Sequence, residues 1–157
     1  MKAVDIMTKN PCFCSSNDSI VNVARTMRDH DCGAVPLVDN GRVVGIVTDR
    51  DLVVRGLATG TNSAAMVGEI ATKNVCRVRA DDDVKEIERL MSDNQVRRVL
   101  VMDGDRCVGI VSQADLARAV QRADGLTDRE VAIVVERISE KRGKASSRGD
   151  SGSEVRF

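Results

Sequence analysis

The sequence predicts an α/β fold made of two β-α-β-β-α repeats related by a pseudo-twofold axis, followed by a C-terminal helix and a disordered tail. The chain aligns with itself without a gap at a shift of 64 residues, which matches Val4–Arg55 with Gly68–Ala119. In both halves, apolar residues change from helical spacing to strand-length runs in the same order. Two like units tend to bury a common face around a twofold axis. We therefore expect repeat 1 over residues 1–60 and repeat 2 over residues 66–123.

The first repeat begins with a short strand near Cys12–Cys14. A cluster of N-cap residues follows, and apolar residues at helical spacing predict an amphipathic helix over Asp18–His30. Ala34–Val38 is an apolar run of strand length, an Asn-Gly pair favours a hairpin turn, and Val43–Val47 is the return strand. A second helix is predicted from Thr48 to about Thr59.

The second repeat follows the same order. Its predicted elements are a strand over Val75–Val78, a helix over Asp82–Asp93, strands over Arg98–Met102 and Arg106–Val111, and a helix over Ser112–Arg122. The densest identity between the halves, Val-Gly-Ile-Val, ends the last strand of each repeat. Each half is therefore predicted to be one folding unit.

Three segments lie outside the repeats. Gly60–Ala65 is a polar connector. Thr127–Glu130 matches a capping box, and the apolar spacing after it predicts an amphipathic helix over residues 127–140. Residues 141–157 are polar and rich in Gly and Ser, which predicts disorder.

Composition excludes several classes of function. The 24 basic and 24 acidic residues cancel, and the only aromatic residues are Phe13 and Phe157, so nucleic-acid binding is not expected. No apolar run approaches the roughly 20 residues that span a bilayer, and no signal peptide is visible. We expect no membrane association and a cytoplasmic location, where the five cysteines stay reduced.

One motif occurs at the same place in both repeats. The strand that ends in Gly-Ile-Val continues into a helix through Thr48 or Ser112, and an aspartate, Asp51 or Asp115, follows three positions later. One interpretation is a helix cap. The other is a ligand site, because a helix N-terminus attracts phosphate and a nearby carboxylate can accept hydrogen bonds from ribose. Both interpretations stay open on the sequence alone.

A β-α-β-β-α repeat that ends in Gly-h-h-Thr/Ser-x-x-Asp (h, hydrophobic) and occurs twice resembles the CBS-domain family, in which two repeats form a Bateman module. The resemblance covers residues 4–120. Residues 48–60 (TDRDLVVRGLATG) and 95–99 are also similar to short stand-alone bacterial CBS-pair proteins, including the hypoxic-response group. The resemblance to the CBS-domain family implies a non-catalytic sensor that binds AMP, ADP, ATP, NAD or S-adenosylmethionine as a regulatory ligand, without a required cofactor. It also implies a homodimeric disc of four repeats that signals to an unidentified protein target.

The resemblance also implies which residues hold the ligand. Ribose and phosphate would contact Thr48 with Asp51 and Ser112 with Asp115. Adenine would lie beside the first and second strands of a repeat, which are Thr8 to Cys12 with Val35 and Pro36, and Thr72 to Cys76 with Val99 and Leu100.

Basic side chains distinguish the two predicted clefts. The resemblance places Arg97 and Arg98 where phosphates bind, whereas their first-repeat counterparts, Gly33 and Ala34, carry no charge. Two arginines beside a helix N-terminus favour an anion. We therefore expect the cleft with Arg98 to be the better nucleotide site, with Arg50 as a weaker phosphate contact in the other.

Two alternatives belong to other classes. The chain could be a dimerisation scaffold with vestigial nucleotide sites, or a thiol-based metal or redox sensor that uses Cys12, Cys14 and Cys76. Zinc needs a fourth ligand and His30 is the only histidine, so buried core cysteines and no metal site are the preferred interpretation. No catalytic constellation is readable, and an enzyme is not expected.

Overall fold

The computed structural model describes residues 1–122 and 128–139, and its elements follow the predicted α/β order. The elements are α1 (Ala3–Ile6), β1 (Thr8–Lys9), α2 (Ile20–Asp29), β2 (Ala34–Asp39), β3 (Arg42–Thr48), α3 (Asp49–Asp51), β4 (Arg77–Arg79), α4 (Val84–Asn94), β5 (Arg98–Asp103), β6 (Arg106–Ser112), α5 (Gln113–Arg122) and α6 (Asp128–Ser139). A π-helical turn, Leu52–Gly56, and a 3₁₀ turn, Leu57–Thr59, continue α3, and another 3₁₀ turn spans Val67–Glu69. The predicted fold class is confirmed.

Two element predictions were wrong in detail. The expected strand over Cys12–Cys14 is reduced to a single parallel bridge between Cys14 and Leu37, because Pro36 of β2 has no N–H to donate to Cys12, as its counterpart Leu100 donates to Cys76. The expected continuous helix after Thr48 changes to π and then 3₁₀ geometry. Gly56 lies in that stretch, is buried and weakens α-helix formation.

The sheets show that the two repeats exchange their first segments. One sheet has the order β1-β6-β5-β4, and the other contains only β2 and β3. In the first, Thr8 of β1 pairs with Ile110 of β6, on the second repeat. Thr72 pairs with Ile46 of β3, on the first repeat. The two contacts are related by the 64-residue shift of the sequence, as a pseudo-twofold axis requires. We call residues 3–9 and 67–73 the two lead segments.

Core packing follows the same exchange. Ala3, in the first lead segment, is buried in the core of the second repeat. Val67, its counterpart, is buried in the core of the first. A third cluster joins the hairpins of the two repeats, and its buried members are Ala34, Val43, Ile46, Leu100, Met102 and Cys107. Because burying a side chain such as Leu100 contributes about 1.5–3 kcal/mol, the repeats stabilise each other directly.

Helix α6 packs on the second repeat. Ile138 is only 2% exposed and belongs to that repeat's core cluster. Gln113 Nε2 donates to the carbonyl oxygen of Val135, and Gln95 Nε2 donates to that of Arg137, each at 3.1 Å. Thr127 of the predicted capping box and the predicted disordered tail lie outside the described residues. Among the helices that the structure describes, none is long and apolar enough to cross a membrane.

Candidate ligand clefts between the repeats

The repeated motif forms a reciprocal helix cap in the first repeat. Thr48 ends β3, and its backbone N–H and hydroxyl donate to Asp51 Oδ2 at 2.9 and 2.8 Å. The backbone N–H of Asp51 donates to Thr48 Oγ1 at 3.2 Å. This capping box forms because the hydroxyl and the carboxylate stand three residues apart at the start of α3.

The second repeat contains the same geometry. The Ser112 N–H and hydroxyl donate to Asp115 Oδ2 at 2.8 and 2.6 Å, and the Asp115 N–H donates to Ser112 Oγ at 3.2 Å. In both repeats the second carboxylate oxygen faces an arginine: Asp51 Oδ1 lies 3.5 Å from Arg55 Nε, and Asp115 Oδ1 lies 2.6 Å from Arg118 Nη2. The helix-cap interpretation is therefore confirmed. A carboxylate oxygen has two lone pairs, so Oδ1 can still accept from a ligand.

A cleft of about 320 Å³ opens beside Asp115. Its lining combines α5 with residues at and near the first lead segment: Met1, Asp5, Ile6, Met7, Asp115, Arg118 and Ala119. The sequence analysis grouped Thr8 with Val35 and Pro36 of its own repeat, and that grouping was wrong. Because β1 pairs with β6, Thr8 lies on the side of Ser112 and Asp115. By the same exchange Thr72 lies beside β3, on the side of Thr48 and Asp51.

The exchange of lead segments explains the glycine that both repeats carry in Gly-Ile-Val. A Cβ on Gly45 would stand 3.1 Å from the carbonyl oxygen of Thr72, closer than nearly all real Cβ contacts. A Cβ on Gly109 would overlap the side chain of Met7. The glycine therefore lets each lead segment lie directly on the other repeat's hairpin.

Arg55, which the sequence analysis did not single out, lies between Asp51 and the second lead segment, where the first cleft is predicted. Its Nη1 donates to the carbonyl oxygen of Ile70 at 3.3 Å and to Thr72 Oγ1 at 3.1 Å, while its Nε faces Asp51. Its place four residues after Asp51 on a predicted helix was the available signal. Its contact with the second lead segment could not be predicted without knowing that the repeats exchange their lead segments.

The predicted phosphate-binding arginines are spread over both repeats. Arg98 pairs with Ser112 in the β5–β6 ladder, but its Nη2 extends to Gly33, 3.2 Å from where a Cβ would stand. The carboxylate of Asp49 approaches the same point. Arg97 and Arg50 have exposed side chains. The guanidinium of Arg98 is thus directed towards the first repeat.

The apolar residues expected to hold adenine are mostly core residues. Val35, Val99 and Leu100 are completely buried, and Pro36 is buried as well. Their side chains fill the cores of the repeats. The apolar groups that line the second cleft are instead Met1, Ile6, Met7 and Ala119.

The structure changes the expected grouping of thiols. Cys32, not Cys76, lies with Cys12 and Cys14: burial raises the pKa of the Cys32 thiol, as do the nearby Cys12 and Cys14 thiols. For Cys76 burial alone raises the pKa. Cys12 lies beside Cys32 in the α2–β2 connection, whereas Cys76 packs against the core of the second repeat. Within residues 1–122 and 128–139, no group of three or more His, Cys, Asp or Glu side chains is arranged to hold a metal ion.

Two repeats that exchange lead segments, each with a hydroxyl–aspartate cap at the edge of a cleft, define a paired regulatory module. The chain matches the CBS domain over residues 3–56 and again over 67–122, and it belongs to the CBS-domain family. The resemblance expected from the sequence is therefore confirmed. Proteins of this family are generally regulatory rather than catalytic.

Relatives agree with this assignment. Hypoxic response protein 1 of Mycobacterium tuberculosis strain H37Rv is 40% identical over 118 residues, which cover 74% of this chain and 82% of the relative. The CBS domain-containing protein YhcV of Bacillus subtilis is 33% identical over 113 residues, which cover 72% and 81%.

Two solved structures show what similar modules hold. The crystal structure of Hypoxic Response Protein I with two coordinated zinc ions matches with a TM-score of 0.68 and 38% identity, covering 75% of this chain and 98% of that one. The CBS domain pair of protein MJ0100, in complex with 5′-methylthioadenosine and S-adenosylmethionine, matches with a TM-score of 0.69 and 33% identity, covering 76% and 94%.

Proposed function

We propose that this protein is a non-catalytic sensor that binds an adenosine-containing small molecule in the clefts between its two repeats. The observation that carries the proposal is the open cleft of about 320 Å³ with Asp115 at its edge. That volume lies within the range of about 300–1,000 Å³ that is usual for small-molecule sites. A similar CBS pair holds two adenosine derivatives, which supports this ligand class.

Each side of the second cleft has a chemical role in this proposal. Asp115 Oδ1 accepts hydrogen bonds from the ribose hydroxyls in exchange with Arg118, which is exposed enough to move aside. Ser112 lies at the N-terminus of α5, where the helix dipole and free N–H groups favour an anionic substituent. Ile6 and Met7 offer apolar surface to the adenine ring.

The signal in this proposal is a population shift. A ligand that contacts both α5 and the first lead segment binds the closed arrangement of the repeats better than an open one. Closure then changes the surface that a partner protein recognises. We also propose that the module works as a homodimer in the cytoplasm, with free thiols.

A thermal-shift panel tests the proposed function. The ligands are AMP, ADP, ATP, NAD, S-adenosylmethionine and 5′-methylthioadenosine, with guanosine as the control for adenine selectivity. A ligand at 100 times its Kd stabilises the fold by about 2.7 kcal/mol, which raises Tm by several degrees for a chain of this size. If no ligand in the panel raises Tm, the scaffold alternative with vestigial sites replaces the proposal.

A further inference from the structure

A bridge joins the two repeats beside Asp51, where the first cleft is predicted. Arg55 extends from the π-helical turn after α3 and contacts the second lead segment through the Ile70 carbonyl and the Thr72 hydroxyl. Its Nε also lies 3.5 Å from Asp51. One guanidinium therefore occupies the space between the aspartate at the edge of the cleft and the segment that faces it.

The local backbone geometry directs the Arg55 side chain towards the second lead segment. Arg55 lies in the π-helical turn Leu52–Gly56, whereas the corresponding part of the second repeat lies in the regular helix α5. Such π turns often occur at functional sites. A Cβ on Gly56 would stand 3.6 Å from Ile70 Cδ1, an ordinary van der Waals distance, so this turn packs beside the second lead segment.

The second cleft has no equivalent bridge from this position. The counterpart of Arg55 is Ala119, whose side chain ends at Cβ and lines the open cleft. The arginine there, Arg118, donates to Asp115, and among the described residues no hydrogen bond or ion pair joins it to the first lead segment. The lead-segment residues matching Ile70 and Thr72 are Ile6 and Thr8.

We propose that Arg55 is a latch across the first cleft that must open before a ligand binds there, so that the two clefts fill in sequence. The second cleft is open and binds first. The first binds only after Arg55 leaves Asp51 and Thr72, because the ligand needs the same groups. This inference rests on the proposed adenosine-binding function and assigns the two clefts different affinities.

The latch is weak enough to open. The Arg55 side chain is 52% exposed, and its contacts are 3.1–3.5 Å long. Exposed ion pairs and single hydrogen bonds of this kind shift an equilibrium by about 2- to 10-fold. Release of Arg55 also removes the link between Asp51 of α3 and the second lead segment. Ligand binding in the first cleft therefore changes the structure in a way that binding in the second cleft does not.

Hydrogen exchange tests the latch without any ligand. The Thr72 and Ile46 amides donate to each other's carbonyl oxygens at 2.9 Å, next to the Arg55 contact. In Arg55→Ala both amides should exchange about 2- to 10-fold faster. In the matched control Arg118→Ala, the same two amides should keep their wild-type rates. Equal rates in Arg55→Ala and wild type would overturn the latch.

Calorimetric titration with 5′-methylthioadenosine tests how the Arg55 latch affects ligand binding. Asp115→Ala should weaken the second cleft roughly 10- to 100-fold, so the tighter binding event that remains in this background reports the first cleft. Adding Arg55→Ala should tighten binding about 2- to 10-fold. If Arg55→Ala leaves the affinity of the Asp115→Ala protein unchanged or weaker, the latch is contradicted. It is also contradicted if neither variant binds while the wild type does. If the wild type binds none of the adenosine ligands, the proposed function fails and the exchange rates alone decide on Arg55.

Discussion

The two aspartates at the cleft edges have a structural role and a proposed binding role in the same side chain. Asp115 uses Oδ2 to cap α5, and Oδ1 faces Arg118. Its side chain is 14% exposed, so the carboxylate is held in place yet reachable. The two roles predict separable effects on stability and on affinity.

The first prediction is that Asp115→Ala loses both roles. Loss of the capping interaction should destabilise the fold by about 1 kcal/mol. Loss of charge-assisted hydrogen bonds to ribose should weaken the bound adenosine ligand by about 1.5–3 kcal/mol, or roughly 10- to 100-fold in Kd. Denaturant unfolding and calorimetric titration measure the two effects independently.

Asp51→Ala is the matched control, because the same cap is lost in the first repeat while the second cleft stays intact. Wild-type affinity in Asp115→Ala, together with lowered stability, would leave the aspartate with the cap role alone.

The second prediction concerns the cysteines. Burial raises the pKa of the thiols of Cys14, Cys32, Cys76 and Cys107. A raised pKa keeps these thiols protonated at neutral pH, and the thiolate is the reactive form. We expect iodoacetamide to alkylate all four slowly at pH 7 and faster as pH rises towards the raised pKa values.

Mass spectrometry of the native and urea-unfolded protein measures these rates site by site. Unfolding removes the burial, so the four rates should rise at constant pH. Native rates equal to the unfolded ones would show accessible thiolates and would favour the thiol-sensor alternative.

At the scale of elements, α6 completes the core of the second repeat. Ile138 is buried against that core, and two glutamine side chains bond to the α6 backbone. No comparable helix lies on the first repeat in the part of the chain that the structure describes. The asymmetry makes α6 a stabilising element of one half.

The third prediction is that Ile138→Ala destabilises the fold by about 2–5 kcal/mol, because it leaves a cavity in a well-packed core. Ile133→Ala is the matched control on the same helix. Ile133 is 40% exposed, so its truncation should change stability by less than about 0.5 kcal/mol. Equal effects of the two substitutions in denaturant unfolding would mean that α6 does not dock through Ile138.

At the scale of the molecule, apolar side chains remain exposed on the first repeat. Val53, Val54 and Leu57 are 56%, 46% and 77% exposed on the turns that follow α3. We call these three residues the first-repeat patch. Contiguous apolar surface of this kind marks interaction sites.

The fourth prediction is that the protein is a homodimer at tens of micromolar and that the first-repeat patch lies in the interface. Leu57→Glu should shift it to monomer in analytical ultracentrifugation, because a charge would be buried in the interface. Ile133→Glu, on exposed α6 surface, should remain dimeric. A monomeric wild type contradicts the prediction, and a dimer that persists in Leu57→Glu places the interface elsewhere.

Local signals determined the order and approximate bounds of the elements, the repeat and the hydroxyl–aspartate cap. Helical spacing, strand-length apolar runs and cap residues act over a few positions, so the sequence shows them directly. The cap could be recognised because Thr48 and Asp51 are three residues apart. The π turn was missed because the apolar spacing does not distinguish it from an α-helix, and the packing of Gly56 beside Ile70 involves distant residues.

Only the tertiary structure decided which repeat each lead segment joins. The two lead segments are counterparts in the internal repeat, so the sequence alignment is the same whether each pairs with its own hairpin or the other one. Packing distinguishes the two: Ala3 is buried in the second repeat's core and Val67 in the first's. That exchange pairs Thr8 with Ile110 of β6 and brings Arg55 to Thr72. The sequence by itself therefore determined the units and their caps, while long-range burial determined the composition of each cleft.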